Sequence, residues 1–197
     1  EQFSPMPEPE GVVTAAIVSR MLGEKGINEV AAAARILKER GVTIQIQLVG
    51  APDPENPSSI PEETLRGWQA EGIVEWRGHS DDIVQVWAKA HIAVLPSYRE
   101  GFPKSLIEAM ASGRPAITTD ATGCRDVIED GVSGILVPLY DSVALAGVIQ
   151  KLAEDGVLRK NMGAAARKRT EDLFSDKIIA SKTMDLYRAE LAIQPIA

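Results

Sequence analysis

The chain has 197 residues, of which 45% are hydrophobic, and its formal net charge is −7. This length and composition allow a sizeable core in one large domain or two small ones. The negative charge argues against a nucleic-acid-binding protein, which needs a basic face. The single cysteine excludes a disulfide within the chain and a cysteine-cluster metal site, and the two histidines are too few for a histidine-rich metal centre.

The apolar residues occur in short runs. No run approaches the roughly 20 apolar residues of a membrane span, and no signal peptide is visible. We therefore expect a soluble, cytoplasmic protein.

The first ten residues contain three prolines, a composition typical of a linker. Residues 1–11 are therefore predicted to be a lead-in, and residues 12–197 the folded domain. A chain that opens on a linker is expected to be one part of a larger protein.

After the lead-in, strands and helices are predicted to alternate, because short aliphatic runs indicate strands and apolar residues at helical spacing indicate helices. In chain order the predicted elements are strand 12–19, helix 27–40, strand 43–49, helix 62–70, strand 73–76, helix 81–89, strand 91–95, helix 103–112, strands 115–119 and 134–137, and helices 141–154, 156–170 and 176–191. Asp141 and Asp176 are predicted helix N-caps. We predict an α/β fold: a Rossmann-like, doubly wound parallel sheet of about six strands with helices on both faces.

The predicted helix at 103–112 follows a buried strand through a short turn. Pro103 suits the first helical position, and Gly113 with Pro115 is a usual stop signal. A helical wheel separates an apolar face toward the sheet from a polar face. The apolar face carries Leu106, Ile107 and Met110, and the polar face carries Lys104, Glu108 and Ser112. Glu108 is therefore predicted to point away from the core.

Glu100 lies just before this helix, where the N–H groups of the first turn favour an anion. Ligands of open α/β sheets bind at the carboxyl ends of the strands, where this turn is expected. Glu100, Glu108 and the helix N-terminus would together suit a ligand that has both hydroxyls and phosphates. The alternative is that Lys104 and Glu108 are only a solvated pair four residues apart and that Glu100 only favours the helix start.

Arg20 and Lys25 follow the first predicted strand and belong to the same edge. Two cations beside a glycine-bearing turn suit a diphosphate, and Gly23 and Gly26 allow close approach. Neither a Gly-x-Gly-x-x-Gly nor a Walker sequence is present. The alternative is that both cations are ordinary solvated charges.

Arg77, Gly78 and His79 follow the third predicted strand at the same edge. His79 either contacts a base or another subunit, or is an exposed loop residue without a function. His91 is interpreted as structural, and Cys124 as a small residue rather than a nucleophile.

The order and spacing of several short motifs give the chain a family resemblance. From about Val12 to Tyr187 it resembles the C-terminal half of a retaining glycosyltransferase of family 4, which has the GT-B fold. The motifs are Arg20 with Lys25-Gly26, Leu48-Val49-Gly50, Trp76-Arg77-Gly78, Pro96-Ser97, Glu100-Gly101-Phe102-Pro103, Glu108-Ala109-Met110, Gly113-Arg114-Pro115 and Asp130-Gly131-Val132-Ser133-Gly134 to Pro138.

The resemblance implies a binding site for a nucleotide-sugar donor, with a role for each matching position. The donor diphosphate is assigned to Arg20 and Lys25 and to the backbone around Ser105 and Leu106. The donor sugar is assigned to Glu100, which is the candidate catalytic residue, with Gly101 and Phe102. Glu108 is assigned to the ribose hydroxyls, and the loop of Arg77, Gly78 and His79 to the base.

The resemblance also implies a reaction. A hexosyltransferase-type enzyme of this kind transfers a glycosyl group, expected to come from a UDP-sugar, with retained anomeric configuration and without a required metal or cofactor. The departing phosphate assists the acceptor hydroxyl, so no side chain is assigned as general base. The product is expected to be a cell-surface polysaccharide or glycan. Two rival hypotheses are a UDP-sugar epimerase and a non-enzymatic nucleotide-binding or interaction module.

Two local positions depart from the family pattern. Pro103 stands where many relatives have glycine, which removes one amide donor. The stretch from 120 to 126 resembles a Gly-Gly-x-x-Glu motif but has Thr122 for a glycine and Asp126 for the glutamate.

The largest departure is a missing half. The N-terminal domain of the family, which binds the glycan or lipid-linked acceptor, has no counterpart in this chain. We therefore expect weak donor binding and little or no transfer by this chain alone, and any association with the inner face of a membrane only through the missing half. The helix at 176–191 is expected to pack toward that half, which would leave apolar residues exposed and able to drive pairing; these are Ile178, Ile179, Met184, Leu186 and Tyr187.

Overall fold

The strands form one parallel sheet in a computed structural model that describes residues 3–193, with side chains described to Leu191. Within these residues the sheet has six strands in the order β3-β2-β1-β4-β5-β6. The strands are β1 Thr14–Val18, β2 Gln45–Val49, β3 Glu75–Trp76, β4 Ile92–Leu95, β5 Ala116–Thr119 and β6 Gly134–Val137. All neighbouring strands pair in parallel. The predicted doubly wound α/β fold is confirmed.

Seven α-helices and one 3-10 turn, Gly23–Lys25, connect and follow the strands in the described part of the chain. The helices are α1 Ile27–Glu39, α2 Glu62–Ala70, α3 Ile83–Lys89, α4 Lys104–Ala111, α5 Ser142–Glu154, α6 Gly156–Phe174 and α7 Asp176–Ile193. Among residues 3–193, no helix combines the length and the apolarity that crossing a bilayer requires.

The two faces of the sheet carry separate apolar clusters because side chains alternate along each strand. In β1, Ala15 and Ile17 join the cluster under α1, α2 and α5. Ala16 and the β4 residue Ala93 join the cluster under α3 and α4. Helices therefore cover both faces, as predicted.

Most helix boundaries lie within two residues of the prediction, but α6 extends to Phe174 where the prediction ended at 170. Asp141 is the predicted N-cap of α5, since its Oδ1 accepts the Ala144 N–H at 2.8 Å. Asp155, which was not predicted, caps α6 by accepting the Leu158 N–H at 2.8 Å. The prediction for Asp176 is wrong, because α7 begins at this residue and its side chain lies in the first turn.

The lead-in packs along the amino edge of the sheet. Its Glu8 carboxylate forms an ion pair with Arg159 of α6, and the Pro7 carbonyl accepts from Arg114 at 2.9 Å. His91 is buried and joins the lead-in to the sheet: its Nδ1 accepts the Thr14 N–H at 3.0 Å, and its Nε2 lies 3.0 Å from the Pro9 carbonyl. The structural role predicted for His91 is confirmed. That residues 1–11 act as an interdomain linker stays a prediction.

The apolar face predicted on the last helix is largely exposed. Ile179, Met184, Leu186 and Tyr187 are each at least 44% exposed, and Ile178 is partly buried. The arrangement leaves an uncovered apolar surface on α7.

Replacing Glu8 should destabilise the fold in a pH-dependent way. Burial alone would raise the pKa of Glu8, but the hydrogen bond and the charge of Arg159 outweigh it and lower that pKa. A carboxyl with a lowered pKa stabilises the fold above its unfolded-state pKa, and the contribution is lost as the pH falls through the folded-state value. Glu8→Gln should therefore reduce the free energy of unfolding at pH 7 by about 1–2 kcal/mol, measured by urea denaturation.

Glu10→Gln provides the matched control, because Glu10 is an exposed carboxylate two residues further along the lead-in. It should change stability little at any pH. Equal effects of the two variants, or a Glu8→Gln effect that persists at low pH, would contradict the ion-pair explanation.

Candidate functional site

The predicted site residues meet at the carboxyl edge of the sheet. β1 pairs with β4, with Ala15 opposite Ile92, so the loop after β1 lies beside the loop after β4. The first loop carries Arg20 and Lys25, and the second carries Glu100. The sequence prediction of a shared edge is confirmed.

Lys25 and Glu100 form an ion pair at this edge. Lys25 Nζ lies 2.7 Å from Glu100 Oε1, and the two side chains are only 18% and 12% exposed. Lys25 ends the 3-10 turn before α1, and Glu100 lies between β4 and α4. The sequence predicted both residues at the edge but not their pairing.

Backbone hydrogen bonds hold the loops on either side of this pair. The Tyr98 N–H donates to the Glu24 carbonyl at 2.9 Å, which joins the loop after β4 to the loop after β1. The Glu100 N–H donates to the Thr122 carbonyl at 3.1 Å, which joins it to the loop after β5. The positions of Lys25 and Glu100 therefore do not depend on their ion pair alone.

Two glycines allow the loops to approach this closely. A Cβ at Gly26 would lie 2.2 Å from the Pro96 carbonyl oxygen, and a Cβ at Gly123 would lie 2.1 Å from the Glu100 carbonyl oxygen. Both glycines also have positive φ, +74° and +79°, a conformation that costs other residues energy. Any side chain at either position would push a neighbouring loop away from the site.

The start of α4 faces the same edge. Pro103 is the N-cap rather than the predicted first helical residue, with ψ at 89°, and its ring has no group that can accept a first-turn N–H. Such a helix start favours an anion. Ser105 lies in the first turn and is half-buried. The Leu106 side chain is buried in the core and its N–H donates to the Pro103 carbonyl at 3.1 Å, so a ligand would have to compete for that amide.

Gly101 and Phe102 form the exposed part of the loop before α4. Phe102 is 51% exposed as a residue, and its ring contacts the Phe174 ring edge-on, with centroids 5.2 Å apart. This contact fixes the loop against the end of α6.

Glu108 is more covered than predicted. Its side chain is 14% exposed, and Lys104 Nζ lies 3.5 Å from Glu108 Oε1. Burial raises the pKa of Glu108, and the nearby Lys104 only partly opposes this shift of the pKa. The two residues do pair, as the alternative interpretation of the sequence expected, but Glu108 is largely buried and not solvated.

Ser112 was predicted on the solvent face of α4 and this prediction is wrong, because Ser112 is fully buried. Its hydroxyl donates to the Glu108 carbonyl at 2.9 Å. The lead-in residue Met6 donates its N–H to the Ser112 carbonyl, and Arg167 of α6 donates to the Ala111 carbonyl. The lead-in and α6 together cover the end of the helix.

A cleft of about 470 Å³ lies at the carboxyl ends of β1 and β2. Arg20 lines it and pairs with Asp53 at 2.5 Å, and His79 lines it from the loop after β3. The cleft is lined by Val18, Ser19, Arg20, Val49, Gly50, Ala51, Pro52, Asp53, Pro54, His79, Ser80 and Ile83. It is large enough for a planar base with part of its sugar.

The loop of Arg77, Gly78 and His79 contributes to this cleft unequally. The Gly78 carbonyl accepts the Gly50 N–H at 2.7 Å. Arg77 pairs with Glu75 at 2.6 Å, and His79, largely exposed, pairs with Asp81 at 3.0 Å. His79 is the one of the three that lines the cleft.

The sequence did not predict three residues near the site, which are Tyr98, Glu29 and Tyr140. The Tyr98 hydroxyl donates to Glu29 Oε1 at 2.8 Å, and the Tyr98 ring contacts Tyr140 with centroids 4.3 Å apart. Burial, and then Glu29, raise the pKa of Tyr98, so the hydroxyl remains a donor. Tyr98 is two residues from Glu100 and was within reach of motif reasoning, whereas Glu29 and Tyr140 become neighbours only through the fold.

Cys124 is fully buried, and burial raises the pKa of its thiol. This agrees with the prediction that it is not a nucleophile. In the described part of the chain, no three His, Cys, Asp or Glu side chains converge into a set that could hold a metal ion.

Comparison with known protein families shows which family the chain belongs to. The model of the family described as glycosyl transferases group 1 matches residues 1–169. The chain belongs to this glycosyltransferase family. The Lys25–Glu100 pair, α4 and the cleft all lie inside the matched range.

Two curated relatives of this group 1 glycosyltransferase chain are about twice its length. It is 33% identical over 174 residues to the capsular polysaccharide biosynthesis glycosyltransferase CapM of Staphylococcus aureus, covering 88% of this chain and 45% of CapM. It is 34% identical over 173 residues to an N,N'-diacetylbacillosaminyl-diphospho-undecaprenol alpha-1,3-N-acetylgalactosaminyltransferase of Campylobacter jejuni, covering 87% and 43%. The chain thus spans less than half the length of these relatives.

Solved structures give the same picture of the fold. Sucrose-phosphate synthase from Thermosynechococcus elongatus superposes with a TM-score of 0.83 at 29% identity, covering 98% of this chain and 51% of that one. Anabaena HepE, solved in complex with UDP, superposes with a TM-score of 0.79 at 23% identity, covering 90% and 49%. Each match uses about half of the known structure.

Gly123→Ala should lower the free energy of unfolding by more than the strain of its positive φ alone would. The new Cβ would meet the Glu100 carbonyl oxygen, and that oxygen belongs to the backbone and cannot rotate away. We expect a loss of unfolding free energy of about 3 kcal/mol or more, from strain plus displacement of the loop. Urea denaturation measures it.

Gly131→Ala is the matched control, since Gly131 has φ +73° and its Cβ would meet no described atom within 4 Å. It should cost about 1–2 kcal/mol, the strain term alone. Equal losses in the two variants would show that the approach of Gly123 to Glu100 is unimportant.

Proposed function

We propose that this chain is the donor-binding half of a retaining, family 4 glycosyltransferase of the GT-B fold. In this proposal the enzyme transfers a sugar from a nucleotide-sugar to an acceptor hydroxyl during the synthesis of cell-surface polysaccharide or glycan. The observation that carries the proposal is the grouping of Lys25, Glu100 and the start of α4 at one edge of the sheet, in a chain that belongs to the group 1 family.

The donor diphosphate would lie between the two loops of this edge. Lys25 supplies a cation and the first turn of α4 supplies amide donors, of which Ser105 is one. Charged and backbone donors together offset the charge of a diphosphate. Arg20, whose side chain is 57% exposed beside Asp53, would reach the diphosphate by exchanging its carboxylate partner. Leu106 would contribute through its backbone only.

The nucleoside would extend from the diphosphate toward α4 and the cleft. Glu108 would accept hydrogen bonds from the two ribose hydroxyls, since a carboxylate has acceptor sites for both. The base would enter the cleft beside His79 and Gly50, near the loop of Arg77 and Gly78. HepE, a protein of similar fold, is solved with UDP, which makes uracil the first base to test.

The donor sugar would lie against Glu100, Gly101 and Phe102. In the reaction the bond between the anomeric carbon and the phosphate oxygen breaks, and a bond from that carbon to the acceptor oxygen forms on the same face. The acceptor proton passes to the departing phosphate, so no side chain of this chain is the general base. Glu100, 12% exposed and hydrogen-bonded, would orient the sugar, and no metal or cofactor is required.

The acceptor would bind to the half of the enzyme that has no counterpart here. CapM is named for capsular polysaccharide biosynthesis, and the Campylobacter relative for a diphospho-undecaprenol substrate; a glycan or lipid-linked acceptor follows by analogy. The exposed apolar face of α7 would pack on that half. The present chain should bind donor weakly and transfer little, and the full-length enzyme would work in the cytoplasm, meeting the inner face of a membrane only through the other half.

Calorimetric titration of the chain with UDP and with GDP tests the donor assignment. We expect one of the two to bind and Glu108→Gln to weaken that binding about tenfold or more, because hydrogen bonds to a carboxylate are lost. Glu63→Gln is the control, an exposed carboxylate in the first turn of α2. Absence of binding to the wild type at millimolar nucleotide would count against the donor site.

The same binding should depend on pH through Glu108. Its pKa is raised by burial, so it takes up a proton at a higher pH than an ordinary glutamate does, and a protonated carboxyl loses acceptor capacity. Nucleotide affinity should therefore fall as the pH is lowered through that raised pKa. Titrations at a series of pH values should show this fall for the wild type and a flatter profile for Glu108→Gln; parallel profiles would argue against the ribose contact.

A further inference from the structure

The Lys25–Glu100 ion pair occupies the place where the proposed function puts a diphosphate. Lys25 lies two residues before the start of α1, and its Nζ is 2.7 Å from Glu100 Oε1. The partner is a carboxylate, which like a phosphate presents anionic oxygens to a lysine. The cation that the proposed function assigns to the diphosphate is therefore already paired with a carboxylate of the same chain.

We propose that Glu100 is an internal competitor of the donor diphosphate. Its carboxylate pairs with Lys25 in the free protein, moves to the sugar hydroxyls when a nucleotide-sugar arrives, and returns to Lys25 when the nucleoside diphosphate leaves. This inference rests on the proposed function, because it concerns ligand exchange at that same site.

The surroundings of the pair allow it to open without disturbing the fold. The loops that carry it are joined by the Tyr98–Glu24 and Glu100–Thr122 backbone hydrogen bonds. The close approach of Gly123 to the Glu100 carbonyl fixes the backbone from the other side. Only the two side chains need to move, and both remain partly accessible to solvent.

Exchange requires that each charge find a new partner, since an uncompensated charge in a partly buried site is unfavourable. A nucleotide-sugar supplies both partners, phosphate oxygens for Lys25 and hydroxyl donors for Glu100. A nucleoside diphosphate supplies only the first, so Glu100 competes with it for Lys25. The pair therefore favours the intact donor over the product and speeds product release.

Removing the Glu100 charge should strengthen binding of the product nucleotide, whereas loss of a side chain that only binds ligand would weaken it. Glu100→Gln should raise the affinity of the chain for UDP about three- to tenfold, measured by calorimetric titration. It should leave the affinity for uridine unchanged, because uridine has no phosphate for Lys25. Affinity for UDP-glucose should rise less than affinity for UDP, because the sugar loses its carboxylate.

A double-mutant cycle with Lys25→Met separates this exchange from general repulsion between Glu100 and the ligand. In the Lys25→Met background, Glu100→Gln should give little or no gain in UDP affinity. Glu24→Gln is the matched control, because it removes an exposed carboxylate next to Lys25 in sequence. Thermal unfolding without ligand verifies that each variant is folded.

The outcomes distinguish this inference from the proposed function. If UDP binds the wild type and Glu100→Gln leaves its affinity unchanged or lowers it, the competition is overturned and the donor site stands. The competition is overturned as well if the gain is equally large in the Lys25→Met background or with Glu24→Gln. If no variant binds a nucleotide, titration with inorganic pyrophosphate replaces the nucleotide titration. Binding of pyrophosphate by Glu100→Gln but not by the double variant would support the competition and overturn the nucleotide assignment. No binding by any variant would overturn both.

Discussion

Parallel pairing of β1 with β4 is the constraint on which the site depends. At this pair the chain connections turn to opposite faces of the sheet, with α1 on one face and α4 on the other. The loops that follow the two strands therefore meet at the carboxyl edge, at a topological switch point. This pairing brings Lys25 and Glu100 together although they are 75 positions apart in the chain.

The sequence predicted the elements well where the signals are local. Helix α2 and strand β6 have the predicted bounds, 62–70 and 134–137, because apolar spacing and flanking glycines or prolines act over a few residues. The edge of the sheet that carries the site was predictable too, since residues after parallel strands always share one edge. Family resemblance then assigned roles to Arg20, Lys25, Glu100 and Glu108.

Burial and pairing were not predictable in the same way, because they depend on elements distant in the chain. Ser112 lies on the polar side of a helical wheel but is covered by the lead-in and by α6. The sequence predicted the same role, binding of a diphosphate, for Arg20 and Lys25, because both are cations that follow the first strand. In the fold Arg20 pairs with Asp53 at the mouth of an open cleft, whereas Lys25 is enclosed with Glu100, so the two cations face different desolvation and different competitors.

Ser97 has a consequence for the rigidity of this edge of the sheet. It is fully buried; its hydroxyl donates to the Glu24 carbonyl at 3.1 Å, and its carbonyl accepts from the Thr119 hydroxyl of β5. One residue thus ties together the loops that follow β1 and β4 and the end of β5. In the proposed donor site, loops tied together in this way would adapt little to a misplaced hydroxyl, so epimeric sugars would be distinguished by the polar groups that the wrong one leaves unmatched. New sugar preferences in such a scaffold would arise from changed side chains on a constant frame, not from rearranged loops.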